Sequence, residues 1–217
     1  MNRRTALRLT AWLAIPCLMT LMGGCEGGGG GGGSAHDFGD NDPNVIACLG
    51  DSITEGYLLA SADSYPAQLA AITGKTVYNR GVGGSRTFEG VSAVGTVLNR
   101  YTPGYLLILY GVNDLIHGAS QDSIITNLRT MIQAAKANST VPIIATLTPT
   151  YDSHTWVADD VIALNGQIRT MAAEEGVDVA DLEAAFDADA SLILVDGLHP
   201  SASGARVIAE TFAVYID

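Results

Sequence analysis

Five strand-like runs, each followed by a stretch of helical spacing, constrain this chain more than any other feature. The runs lie at 45–49, 76–79, 105–110, 141–147 and 177–182, and the first and third end at Gly50 and Gly111. Segments 65–72, 91–100, 122–137, 159–175 and 201–215 read as helices; in the third of them Ile125, Leu128 and Ile132 share one face. Gly74 and Gly176 supply helix stops. Strands that are apolar throughout are buried on both faces, and a helix between successive strands returns the chain so that neighbours run parallel. The pattern predicts an α/β domain over 44–217, a three-layer α/β/α sandwich around a five-stranded parallel sheet. With 47% of its residues hydrophobic and 16% charged, the chain has enough apolar material to close such a core without disulfides or metal.

The N-terminus reads as an address rather than as structure. Arg3, Arg4 and Arg8 form a positive start, 9–22 is apolar, and Gly23-Gly24 precede Cys25. The run is short for a membrane-spanning helix. Leu21-Met22-Gly23-Gly24-Cys25 resembles a bacterial lipoprotein signal, which implies cleavage before Cys25 and lipidation of its thiol. Glu26 is unlike the Asp that retains lipoproteins at the inner membrane, so the expected place is the cell envelope, anchored in the outer membrane and facing the periplasm or the surface. Seven glycines, Gly27 to Gly33, open a flexible tether that is expected to run over 26–43. Cys17 leaves with the signal and Cys25 is lipidated, so Cys48 stands alone in an apolar strand and is expected to be a small buried hydrophobe.

Charge removes whole classes of partner. The formal net charge is −12; three of the eleven basic residues and none of the 23 acids lie in the leader, so its removal leaves −15. Nucleic acid and anionic membrane surfaces are repelled by such a field, and membrane attachment is expected through the lipid alone. The acidic stretch 174–189 lacks the spacing of a calcium loop. The turn Gly81–Gly84 is not followed by the Lys-Ser/Thr of a phosphate-binding loop.

In a parallel sheet ligands bind beyond the carboxyl ends of the strands. Asp51-Ser52 follows the first strand, Gly83-Gly84 the second, and Asn113-Asp114 the third, while Asp196 and His199 precede the last helix. A serine hydroxyl becomes a nucleophile when a base takes its proton, histidine is suited to that work, and a carboxylate three residues earlier can hold its tautomer. The Ser52 and Gly84 amides and the Asn113 side chain are candidate donors to an oxyanion. Asp51 and Asp114 read as supports for their loops. His117 and the loops 115–120 and 151–156, the second carrying His154 and Trp156, are candidate pocket walls; His36 falls in the tether.

The blocks Gly50-Asp51-Ser52-Ile53, Asn79-Arg80-Gly81-Val82-Gly83-Gly84, Gly111-Val112-Asn113-Asp114 and Asp196-Gly197-Leu198-His199-Pro200 resemble, in order and spacing, those of the GDSL/SGNH hydrolase superfamily. The resemblance covers the whole of 44–217 and implies a flavodoxin-like fold and no cofactor or metal. It implies Ser52 as nucleophile, Asp196 and His199 as triad partners, and Ser52, Gly84 and Asn113 as oxyanion donors, with Gly84 fitting the block's spacing better than Gly83. Ile53 stands where the superfamily has Leu. Gly50-Asp51-Ser52-Ile53-Thr54-Glu55-Gly56-Tyr57 is similar to the small bacterial branch of lysophospholipases, thioesterases and arylesterases, which implies a small-molecule ester or thioester substrate. A carbohydrate O-acetylesterase uses the same residues, and a tethered binding module without catalysis is the alternative of a different class.

Overall fold

The computed structural model describes residues 36–217, whose buried side chains form a continuous hydrophobic core of their own. In chain order its elements are β1 (Asp42–Gly50), α1 (Ser52–Glu55), α2 (Tyr65–Thr73), β2 (Thr76–Gly81), α3 (Thr87–Tyr101), β3 (Pro103–Leu109) and α4 (Val112–Ile116). They continue with α5 (Gln121–Ala137), β4 (Val141–Ala145), α6 (Ala158–Glu175), β5 (Asp178–Ala180), α7 (Leu182–Phe186) and α8 (Ala202–Ala213). Every strand pairs parallel to its neighbours, in the order β2-β1-β3-β4-β5. The predicted sandwich and its flavodoxin-like strand order are therefore present.

The order follows from one reversal. The chain steps from β1 outward to β2, then back past β1 to β3, β4 and β5. Right-handed crossovers put helices of opposite steps on opposite faces. Accordingly α2 packs with α8, and α3 packs with α5, which in turn meets α6. Tyr65 of α2 stacks on Phe212 of α8, ring centroids 5.7 Å apart, and both side chains are fully buried. All seven residues of β3 are buried, as a central strand covered on both faces requires.

Several boundaries differ from the sequence reading, and the tether, β4 and β5 differ for identifiable reasons. The tether expected over 26–43 is described from 36 on, and there it is packed rather than free. Phe38 lies against Tyr105, the Asn41 amide donates to the Asn138 carbonyl, and β1 already starts at Asp42. Gly104 makes room, since a Cβ there would sit 2.7 Å from Pro43 Cα. The glycine run, Cys17 and Cys25 lie outside the described residues. Strand five is shorter than the apolar run 177–182 suggests, because Asp181 accepts from the Ala184 amide and starts α7.

β4 ends at Ala145, yet the chain beyond it stays ordered through a side chain. Buried Asn165 of α6 accepts the Leu147 N–H (2.7 Å) and donates to the Leu147 carbonyl (3.1 Å), as a neighbouring strand would. Asn165→Leu keeps the volume and strips both partners. Two buried backbone groups without partners are each worth about 1–3 kcal/mol. The urea midpoint of the variant is expected to fall by a corresponding amount with an unchanged slope, and an unchanged midpoint would contradict this role.

Candidate active site

The carboxyl edge of the sheet gathers the residues singled out by the sequence. Ser52 opens α1 directly after β1, where backbone N–H groups of a first helical turn have no partner within the helix. The tight turn depends on missing side chains: a Cβ on Gly50 would lie 1.9 Å from Thr54 Oγ1, and one on Gly81 2.1 Å from the Glu55 nitrogen. α1 thus sits against the end of β2 at backbone contact distance.

His199 and Asp196 arrive from the other end of the chain. The loop between α7 and α8 closes on itself through an antiparallel bridge of Ile193 with Pro200 and a 2.7 Å bond from the Leu194 N–H to the His199 carbonyl. Across 147 residues of sequence, His199 Nε2 is 2.9 Å from Ser52 Oγ, and His199 Nδ1 is 2.6 Å from Asp196 Oδ2, three residues before it. Asp196 Oδ1 accepts from the backbone N–H groups of Leu198 and His199, both at 3.0 Å. Burial pushes the Asp196 carboxyl up, but the Leu198 amide, the His199 ring and the His199 amide outweigh it and hold the group below its usual range. An ionised carboxylate at this place favours the His199 tautomer with its proton on Nδ1, in which Nε2 is the acceptor nitrogen beside Ser52 Oγ. Tyr57, half exposed, lays its ring 4.8 Å from the His199 ring.

The Asp196 loop is clamped from outside. The Tyr151 N–H donates to the Gly197 carbonyl (2.8 Å), Ser153 Oγ donates to the Asp196 carbonyl (2.8 Å), and His154 Nδ1 lies 2.8 Å from the same oxygen. Gly197 has φ +76°, and any Cβ there would strike the Tyr151 carbonyl at 2.0 Å. Ser153 and the clamp role of His154 were not readable from sequence, because the contact runs to a backbone oxygen and leaves no motif. Trp156 is exposed.

On the other side of Ser52, Asn113 is buried in α4 and its amide donates to Ser85 O (3.2 Å) and Asp51 Oδ2 (3.3 Å). Gly84, adjacent to Ser85, adopts φ +74° with open space where a side chain would be. His117 is tied by Nδ1 to the Asn113 carbonyl at 2.7 Å. Asp114 is buried and accepts from the Thr87 amide (2.9 Å) and hydroxyl (2.6 Å), so both acids expected to support their loops do so. Cys48 is fully buried, and burial pushes its thiol far up, as for an inert core side chain. Among the described residues no group of three His, Cys, Asp or Glu side chains is placed to hold a metal, and no helix is long and apolar enough to cross a membrane.

Asp51 is the most perturbed acid of the site. Burial raises it from 3.8 to about 7, the Ile53 amide pulling it down and the charge of Asp114 pushing it further up. The folded chain thus holds a proton that the unfolded chain releases. The stabilisation is complete below pH about 4 and is lost as the pH climbs through about 7. Asp51→Asn removes this slope, so its melting temperature relative to the parent is expected to improve between pH about 5 and 8; a constant difference would contradict the shift.

Comparison with known proteins bears on the family and the fold. The profile of the GDSL-like Lipase/Acylhydrolase family matches residues 48–207. The chain is 27% identical over 103 residues to the thioesterase 1/protease 1/lysophospholipase L1 of Escherichia coli strain K12, covering 46% of this chain and 50% of that protein. It is 32% identical over 96 residues to an arylesterase of Vibrio mimicus, covering 42% and 48%. The matches span about half the length of these curated relatives. The fold is shared with a lipolytic protein of the G-D-S-L family from Veillonella parvula, at a TM-score of 0.70 and 23% identity, over 79% of this chain and 97% of that one. With a profile match over most of its length, and with all four sequence blocks inside or beside one hydrogen-bonded edge, the chain belongs to the GDSL-like Lipase/Acylhydrolase family.

Proposed function

We propose that this protein is a serine esterase that hydrolyses carboxylic esters or thioesters through an acyl-enzyme. The observation that carries the reading is the unbroken hydrogen-bonded path Ser52 Oγ, His199 Nε2, His199 Nδ1, Asp196 Oδ2, at 2.9 and 2.6 Å. Ser52 Oγ attacks the acyl carbon while its proton passes to His199 Nε2, and Asp196 stabilises the imidazolium. The carbonyl oxygen becomes an oxyanion, received by the Ser52 and Gly84 amides and by Asn113 Nδ2. Collapse expels the alcohol or thiol, which takes the proton back from His199. Water then repeats the sequence on the acyl-enzyme and releases the acid. No step calls for a cofactor. We further infer that Cys25 is lipidated and holds the domain in the bacterial envelope, the 26–35 stretch serving as leash.

A groove beside the Asp196 loop favours an acyl chain over a bare acetyl group. It encloses about 370 Å³ between the loop 149–151, the start of α6 and α7. Its apolar walls are Pro149, Ala158, Val161, Ile162 and Ala184, with the carboxylates Glu183 and Asp187 on one side, and the Tyr151 amide bonds this loop to the one that carries Asp196 and His199. An apolar wall with a few polar atoms is the usual make-up of a small-molecule site.

The test is hydrolysis of p-nitrophenyl esters from acetate to palmitate by the 36–217 chain. Ser52→Ala is expected to lower turnover roughly ten-thousand-fold on every ester. The preferred chain is expected to be medium or long, and Ala184→Trp, which fills the groove, is expected to lower kcat/KM for octanoate roughly tenfold with acetate little changed. Turnover confined to acetate would favour the glycan O-acetylesterase reading, and full activity of Ser52→Ala would overturn the mechanism.

A further inference from the structure

One buried carboxylate joins the nucleophile's turn to the Asn113 loop. Asp51 is 1% exposed. Its Oδ1 accepts the Ile53 N–H at 2.9 Å and so caps α1, the helix that begins with Ser52. Its Oδ2 faces Asn113 Nδ2 at 3.3 Å. The other partner of that amide is the Ser85 carbonyl at 3.2 Å, next to Gly84. Once Asp51 is ionised, above the pH of about 7 to which burial raises it, both groups around the Asn113 amide are acceptors, so they select its NH2 end rather than its carbonyl end. Both contacts are longer than the usual N–H···O distance of about 2.9–3.0 Å. The amide can therefore hand one proton to an oxyanion, whose charge makes the shorter and stronger bond.

We infer that Asp51 is a positioning residue of the reaction: its Oδ2 keeps the donor end of Asn113 toward the oxyanion while its Oδ1 fixes the turn that carries Ser52. The inference rests on the hydrolase reading above and assigns to Asp51 a task beyond loop support. It acts through Asn113 and touches no reacting atom.

The polarity of this arrangement separates it from a packing role. The Ile53 N–H demands an acceptor. In Asp51→Asn the new carbonyl turns to Ile53 and the new NH2 meets Asn113, donor against donor, so the Asn113 NH2 is repelled from one of its two partners, is left on the Ser85 carbonyl alone, and loses its aim at the hole. Asp51→Ser keeps a hydroxyl that can cap α1 but no longer reaches Asn113. A packing role ranks the isosteric Asp51→Asn as the milder change. Positioning reverses that rank for kcat.

The experiment is a double-mutant cycle on a p-nitrophenyl ester with the 36–217 chain, at a pH well above 7 where Asp51 is ionised, with thermal melts to establish that each variant folds. Asp51→Asn is expected to lower kcat roughly tenfold or more, at least as far as Asp51→Ser, with KM little changed, by comparison with the roughly hundred- to thousand-fold effect of deleting a whole oxyanion donor. In the Asn113→Ala background, where no amide is left to orient, the same Asp51 changes are expected to leave kcat within about twofold. If Asp51→Asn does not fold, Asp51→Ser carries the cycle. An Asp51 variant that keeps full kcat, or an equal loss with and without Asn113, overturns the proposal and leaves the hydrolase reading intact. Full activity of Asn113→Ala, with Ser52→Ala inactive, overturns it as well, since no oxyanion donor would remain to be positioned. Activity in Ser52→Ala would instead overturn the hydrolase reading.

Discussion

The single reversal of the chain at β2 sets everything at the working edge of this molecule. Because β1 is followed outward by β2 and then flanked on its other side by β3, the helices leaving β1 and β2 diverge to opposite faces. They open a crevice over the carboxyl end of β1, and Ser52 stands at its base as the first residue beyond the strand and its Asp51 cap. The turns after β2 and β3 come to the same edge and deliver Gly84 and Asn113. The return loop toward α8, which must cross this edge to reach the face it shares with α2, carries Asp196 and His199 over the serine.

Adjacency alone would leave five loops loosely arrayed, and hydrogen bonds between them supply the precision. Asp51 links the first and third loops, Ser85 O the second and third, and Asp114 reaches back to Thr87 at the head of α3. The Thr87 hydroxyl also accepts from Asn127 of α5, so the network ends in a rigid helix. The Asp196 loop is held by the stretch 151–154. Buried polar groups with partners narrow the available conformations, which is what a site aimed at sub-ångström geometry requires. Ion pairs elsewhere, such as Arg169 with Asp181 and Glu183, are partly exposed and contribute modestly.

Much of this was legible in the sequence, for identifiable reasons. Strands covered on both faces must be apolar along their length, so the second half of β1, β3 and most of β4 stood out, whereas the edge strand β2 is largely exposed and carries Asn79 and Arg80, and was read from its place between two helices. Ser52, Asn113, Asp196 and His199 were legible because their roles demand particular residue types at the strand ends. What escaped notice depends on contacts between distant side chains and backbone. Asn165, standing in for a strand beside Leu147, looks like any polar residue of an amphipathic helix. The short helices α1, α4 and α7 fall below the length at which periodicity can be read. The packing of 36–43 turns on Phe38 finding the gap over Gly104, a fit that composition rich in small and polar residues concealed. Tyr57 was visible as part of a motif, but its contact with the His199 ring was not.

The central claim is that Ser52 is a nucleophile activated by His199. The most direct measurement is reaction of the 36–217 chain with a fluorophosphonate, followed by mass spectrometry of the intact chain and its peptides. The account expects one adduct, on Ser52, absent in Ser52→Ala and formed far more slowly in His199→Ala. An unreactive protein, or a label on another residue that persists in Ser52→Ala, would contradict it.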